Sequence, residues 1–508
     1  MNPQSRFGFG RTFVSVGLLS LLTLLTVCPR PSSAVDEFLR SETDAQATPG
    51  VGPWNATNTS SVPNSPNDRF GTQRLPPVPE GAIGLSPVQP AAFVNETAEL
   101  EPAGAEPAAE FYSLDELRTE MKKLVWTKGE YKIVPYGILW GSATYETQRT
   151  TPGPFVLYVQ SPTLENEAEF DVDTRRTRVG LDVAGPKVPM FGGADSSGKL
   201  EVDFHGQFLT ENQATIQIRH AYAEVKNEDW KLMAGQTWDL ISPLMPGVVN
   251  YSVGWDGGNI GFRRMQIRID RYLQFSDVLL VTPQFAVCQD IVPDALSRVI
   301  DGGGGTQTFD RVIKPETAAW PPLQGRLGFT VGERGEGCKP ATFGVSGHIG
   351  EQGFDYRPGN PYGILAENVR VSTWSFNADL RIPINDRCGV QGEFFTGSNL
   401  GAFFGGVGQG INLATRKGIR ATGGWGEVWY DWTPRLHSHV GFGIDDPLDE
   451  DLTAASARTY NHFLFGNLSF DVTKKMILAF ELSSWKTLYK AQLPGDSVTF
   501  EFSGQYGF

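Results

Sequence analysis

Arginine is the residue type here whose spacing could act on another molecule. Arg176 and Arg178 stand two apart, Arg264 and Arg268 four apart, and Arg326 lies in a third such stretch. In an extended chain, residues two or four apart share a face. Each of these arginines sits among residues that alternate apolar and polar, as in Thr177, Val179, Leu181 and Val183 against Arg176, Arg178 and Asp182. A planar guanidinium binds a carboxylate with two parallel hydrogen bonds, so such a ladder suits small organic anions. The same arginines could instead pair with Asp182, Asp270 and Asp379 across the wall that carries them. Arg219, beside His220, joins the set with its facing ambiguous.

Other chemistry finds little support. The chain has no HExxH, GxSxG, P-loop or GxGxxG pattern. Of six histidines, His437 and His439 share one strand face, yet no acid or cysteine at ligand spacing completes a metal site. A lipid hydrolase would need a nucleophile and a histidine on an outward face; His220 is a candidate, but no partner nucleophile can be identified. No enzyme activity, cofactor or metal is expected.

The elements that would position the arginines are strands. From about Tyr131 to Phe508 the hydropathy alternates with period two, as where Trp374, Phe376, Ala378, Leu380 and Ile382 alternate with Thr373, Ser375, Asn377, Asp379 and Arg381. Sixteen such strands centre near residues 138, 178, 203, 220, 233, 266, 282, 326, 346, 377, 392, 424, 440, 465, 480 and 503. Short links (Lys226–Asp229, Asp270–Ser276, Pro383–Arg387, Trp432–Arg435, Val472–Lys475) fall on one parity. Long links, Asp239–Gly258 among them, fall on the other, with three exceptions: Thr210–Ala214 is short for an outside loop, and Pro186–Ser197 and Val331–Pro340 are long for inside turns. That alternation belongs to a transmembrane β-barrel, with short turns on the periplasmic side and long loops outside. A lipid-facing arginine at the bilayer midplane costs ~2–4 kcal/mol, so the arginines are expected to face the lumen. Trp140, Trp230, Trp374, Trp425, Trp429 and Trp485 suit interfacial girdles. The chain stops on a strand whose Val498, Phe500, Phe502, Gly504, Tyr506 and Phe508 share one face. Tyr506 and Phe508 form the aromatic ending that outer-membrane assembly machinery is known to use.

Ahead of the barrel lie three further segments. Arg6 and Arg11, an apolar run from Thr12 to Val27 and a small-residue site at Ala34 read as a cleaved signal peptide, residues 1–34. Its removal takes Arg6, Arg11 and Arg30 and no acid, so the net charge moves from −14 to −17. That acidity argues against a nucleic-acid partner. Residues 35–110 hold eleven prolines and no lysine and read as a disordered linker. Residues 111–128 read as a short helix, with Ser113 and Glu116 as a capping box and Leu114, Leu117, Met121 and Leu124 at coiled-coil spacing. A plain surface helix and an oligomer-forming coiled coil both remain open. Cys288, Cys338 and Cys388 remain after processing and allow one optional disulfide.

Arg219-His220-Ala221-Tyr222, Gly235-Gln236-Thr237-Trp238, Arg263-Arg264 through Arg268, Gly392-Glu393 through Asn399-Leu400-Gly401 and Glu481 through Thr487 carry a resemblance. In this order, over residues 112–508, the chain resembles the DcaP-like family of trimeric outer-membrane porins. The resemblance implies a homotrimer and passive uptake of small, often anionic, hydrophilic solutes across outer-membrane lipids. The linker 35–110 departs from the family pattern. Asp239–Gly258 follows the fifth strand, where general porins fold a loop inward. Asp239, Met245, Pro246 and Asp256 are therefore expected at a constriction. An envelope-anchoring or surface-binding barrel without transport is the alternative, and a polar lumen lining would separate the two.

Overall fold

A computed structural model describes residues 125–162, 167–189, 192–206, 214–291, 313–335 and 338–508. Leu114, Leu117, Met121, Leu124, the signal segment and the linker lie outside the described residues.

Sixteen antiparallel strands close into one barrel. They begin with β1 (Tyr131–Glu146), β2 (in two segments, Glu169–Asp173 and Arg178–Ala184), β3 (Asp195–Asp203) and β4 (Gln217–Lys226). Next come β5 (Trp230–Trp238), β6 (Arg263–Arg271 continued by Leu273–Ser276), β7 (Leu279–Cys288) and β8 (Ile313–Thr317 and Leu323–Val331). Then follow β9 (Ala341–Tyr356), β10 (Glu367–Pro383), β11 (Cys388–Ser398) and β12 (Arg420–Thr433). The last four are β13 (Leu436–Pro447), β14 (Arg458–Thr473), β15 (Met476–Tyr489) and β16 (Gly495–Gly507). Each strand pairs with its predecessor, and β16 returns to β1 in register from Ile138↔Gly507 to Glu146↔Thr499. Closure leaves no open edge, as hydrocarbon requires when no water can satisfy backbone N–H and C=O groups.

Each strand centre named from the sequence falls on one of these strands. Several boundaries differ; the loop after the fifth strand, for one, runs on to Phe262 rather than ending at Gly258. The sixth strand runs on to Ser276, so its turn is Asp277–Val278 rather than Asp270–Ser276. Trp126–Lys128, read as the end of the helix, instead forms a short strand paired with Tyr131–Ile133, so extended structure starts before residue 129.

Alternation sets the two faces. On β16, Phe502 is 52% exposed and its neighbour Glu501 4%, placing the aromatic outward and the acid inward. Leu139, Ile267, Phe376, Leu464 and Phe480 share that outward belt. The tryptophans divide, however. Trp230 and Trp374 point out, whereas Trp140, Trp425, Trp429 and Trp485 are buried on the inward face, a correction to the girdle reading. Phe463, Phe465 and Trp485 turn inward because loops fill the lumen beside them. The L1 loop (its described part 147–162), the L3 loop (239–262) and the L6 loop (399–419) meet there. Phe155, Val156, Leu157 and Val159 of L1, Val248, Tyr251, Val253 and Trp255 of L3 and Phe404 of L6 share one apolar cluster with these wall residues. Each large side chain so buried contributes ~1.5–3 kcal/mol, which offsets the entropy of ordering the loops.

Candidate functional site: the loops and charged wall inside the barrel

L3 crosses the barrel interior and hangs from carboxylates on the far wall. Ser242 Oγ donates to Glu393, and the Leu244 N–H donates to the same carboxylate at 2.7 Å. The Gly247 N–H reaches Glu427 at 2.6 Å. The Val249 N–H reaches Glu481 at 2.6 Å and the Asn250 N–H the same residue at 3.3 Å; Asn250 Nδ2 donates to Glu501 at 3.1 Å. In return, Gln391 Nε2 donates to the Met245 carbonyl at 3.0 Å and Asn467 Nδ2 to that of Gly247 at 2.6 Å. A loop of this kind has backbone groups with no sheet partner, and each one buried unpaired costs ~1–3 kcal/mol. Carboxyl groups projecting inward from β11, β12, β15 and β16 meet that need.

The four loop residues named from the sequence occupy different places. Asp239 sits at the root of L3, its Oδ1 2.6 Å from Arg264 Nε and accepting from Gln324 Nε2 at 2.6 Å. Met245 is half-buried and Pro246 buried, beside the Glu393–Glu427 wall. Asp256 is buried at the tip, beneath L6; burial pushes its pKa up to about 7.

All six sequence-named arginines lie on the inward side, and most are engaged by protein groups. Arg176 stacks on Trp140, 3.8 Å from the ring centroid, and donates to the Val249 carbonyl of L3. Arg178 is fully buried opposite Asp203 in the β2–β3 register. Arg219 bonds Glu201 and lies 3.1 Å from Asp203 Oδ2. Its facing follows from a bulge: Glu201 opposes His220 and Val202 opposes Ile218, so Arg219 is the extra residue and both Arg219 and His220 are buried. Arg268 pairs with Asp270 at 2.7 Å and Arg326 with Asp379 at 2.6 Å, the wall pairing that the sequence left open. Asp182 instead faces Lys199, at 3.6 Å.

The histidines are held by neighbouring strands. His437 lies 2.8 Å from Asp431 and 3.4 Å from Asp471, and His439 lies 3.1 Å from Glu427. Among the described residues no group of three or more His, Cys, Asp and Glu side chains could hold a metal ion. His220 is turned in, its Nδ1 3.0 Å from Thr237 Oγ1, so the outward-facing hydrolase arrangement loses its candidate. His205 stacks on Tyr251 of L3 at 3.6 Å, and burial with Arg175 and Arg176 nearby holds its pKa well below the usual histidine range. Cys288 and Cys388 are free thiols.

Sequence reasoning missed the carboxylate set Glu393, Glu427, Glu481 and Glu501, as well as Arg263, whose guanidinium lies 5.0 Å from the Trp238 ring centroid. It also missed the inward course of L1 and L6. The available signal was an apolar run where a solvated loop was expected, in Phe155-Val156-Leu157-Tyr158-Val159 and again in Leu400 to Phe404.

A closed sixteen-stranded wall, apolar outside and charged inside, with long loops folded into the interior, defines an outer-membrane β-barrel. No family model and no curated protein matches the sequence. Among solved structures, the outer-membrane channel DcaP of Acinetobacter baumannii is similar, with a TM-score of 0.58 and 16% identity, over 75% of this chain and 99% of that one. The anion-selective porin from Comamonas acidovorans gives a TM-score of 0.47 at 10% identity, over 75% of this chain and 100% of that one. OprB of Pseudomonas putida gives 0.46 at 10% identity, over 77% and 96%. The DcaP likeness carries the fold and agrees with the family resemblance read from the sequence.

Proposed function

We propose that this barrel is a porin, a passive outer-membrane channel for small hydrophilic solutes, with organic anions such as carboxylates favoured. The observation that supports it is the inward wall of β2, β3, β4 and β6. There Arg176, Arg178, Arg219 and Arg263 are buried on the inward side beside Glu201 and Asp203, and Arg219 pairs with both of these carboxylates. Net charge over the whole chain does not set selectivity, because charges beyond a Debye length of ~8 Å are largely screened. Arg268 and Arg326, being paired, serve as balanced wall contacts. The test is the reversal potential in a salt gradient. Replacing Arg264 and Arg268 by Gln leaves Asp239 and Asp270 with less positive charge beside them and is expected to move the potential toward cations. A wild-type channel already cation-selective overturns the anion preference; an unchanged double mutant removes Arg264 and Arg268 from it.

A homotrimer assembled with the help of Leu114, Leu117, Met121 and Leu124 belongs to the same proposal. Native mass spectrometry of a variant with polar residues at Leu117 and Met121 tests it, and an unchanged trimer fraction removes the helix from assembly. The apolar cluster of L1, L3 and L6 favours a second reading, in which the barrel anchors or binds envelope components without transport. Absence of any conductance would select it.

A further inference from the structure

Gly406-Val407-Gly408 of L6 is gripped from two sides by buried carboxylates that belong to different elements. Asp445, at the end of β13, accepts the Gly406 N–H at 3.1 Å and the Val407 N–H at 2.8 Å. Asp256, from L3, lies against Gly408, where a β-carbon would fall 3.1 Å from its Oδ2. Its other oxygen, Oδ1, is buried with no hydrogen-bond partner among the described residues. The Asp256 N–H also donates to the Phe404 carbonyl at 3.1 Å, so L3 and L6 are tied together at this place. Val407 has a φ of +50° and Phe404 one of +59°. Left-handed backbone is unfavourable for such residues, above all a β-branched one, and persists only while its surroundings hold it.

We propose that this junction is a pH-sensitive clasp on the channel, in which ionisation of both carboxylates releases L6 from L3 and opens the path. The inference rests on the channel reading and deepens it by naming how passage is regulated. The charged and titratable groups around the junction are few. Arg458 of β14 donates its Nε to the Val407 carbonyl at 2.8 Å and lies over Tyr158 of L1. Asp446 adjoins Asp445 on β13, and Tyr489 of β15 faces Arg458. With Asp256 protonated, Asp445 meets no like charge from L3. With both ionised, two like charges share a buried site, and the one cation beside Asp256, Arg458, cannot satisfy both. Burial sets the Asp256 transition at a pKa of about 7, within the range a cell envelope meets. The sign follows: an acid raised in the folded state contributes stability below its unfolded pKa near 3.8, and that contribution is lost as pH rises through about 7. The clasp therefore holds in acid and loosens in mild alkali.

Two measurements on the full chain test it. Hydrogen exchange at residues 399–412, corrected for intrinsic rate and referenced to the β13 and β14 amides, should rise several-fold from pH 6 to pH 8.5 in the wild type. Asp256→Asn, which keeps the shape without the charge, should hold the slow exchange at both. Swelling of proteoliposomes with a small neutral sugar should follow the same pattern. Wild-type exchange flat with pH, or a variant that still speeds up, overturns the clasp even if the channel conducts. Clasp exchange that behaves as stated in a protein that passes no sugar at either pH overturns the channel reading and, with it, the regulation of passage.

Discussion

The ring of Phe508 covers Gly137, filling the space that a side chain at that position would need. The backbones are joined as well: the Phe508 N–H donates to the Gly137 carbonyl at 3.0 Å, and the Gly137 N–H donates back at 3.4 Å. The last residue of the chain is thus the outermost contact of the closing seam between β16 and β1.

Gly137→Leu and deletion of Phe508 should therefore both slow assembly, because either change removes the same contact. Gly141, also on β1, has open space where a side chain would go, and Gly141→Leu is the matched control. Heat-dependent gel mobility in a time course reads the folded fraction. A several-fold delay is expected for the first two and none for the control; equal rates for all three would falsify the role of the seam.

Glu481 accepts two backbone N–H groups of L3 and the side chain of Asn467 at 3.1 Å. Glu481→Ala strands both loop donors away from water, at ~1–3 kcal/mol each. The expected result is faster amide exchange at residues 248–252 with the strands unaffected. Protection equal to wild type would mean that the apolar cluster alone holds L3 in the lumen.

The sequence disclosed the barrel well because a lipid-facing strand must alternate and a closed sheet must end on a strand that meets the first. That logic located every strand centre, and the inward side of Arg176, Arg178, Arg264, Arg268 and Arg326 followed from it. It failed where the interior is not aqueous. Phe463, Phe465 and Trp485 look like lipid contacts by type, yet they pack on Trp255 and Phe404 inside, with Phe463 and Trp485 rings stacked at 4.4 Å. Period-two reasoning assigns faces, but which face is wet depends on loops that carry no period. Arg219 was ambiguous for a related reason: a single bulge residue shifts the parity of a strand, and neither neighbour announces it. The carboxylates that hold L3 were invisible because their partners are backbone N–H groups, which every sequence has.

Single-channel recording in planar bilayers with the purified protein tests the central claim most directly. Discrete conductance steps, larger at pH 8.5 than at pH 6 and with a reversal potential on the anion side in a salt gradient, are the predicted result. A correctly folded, heat-modifiable barrel that inserts but gives no conductance at either pH would contradict the channel and leave a sealed envelope barrel in its place.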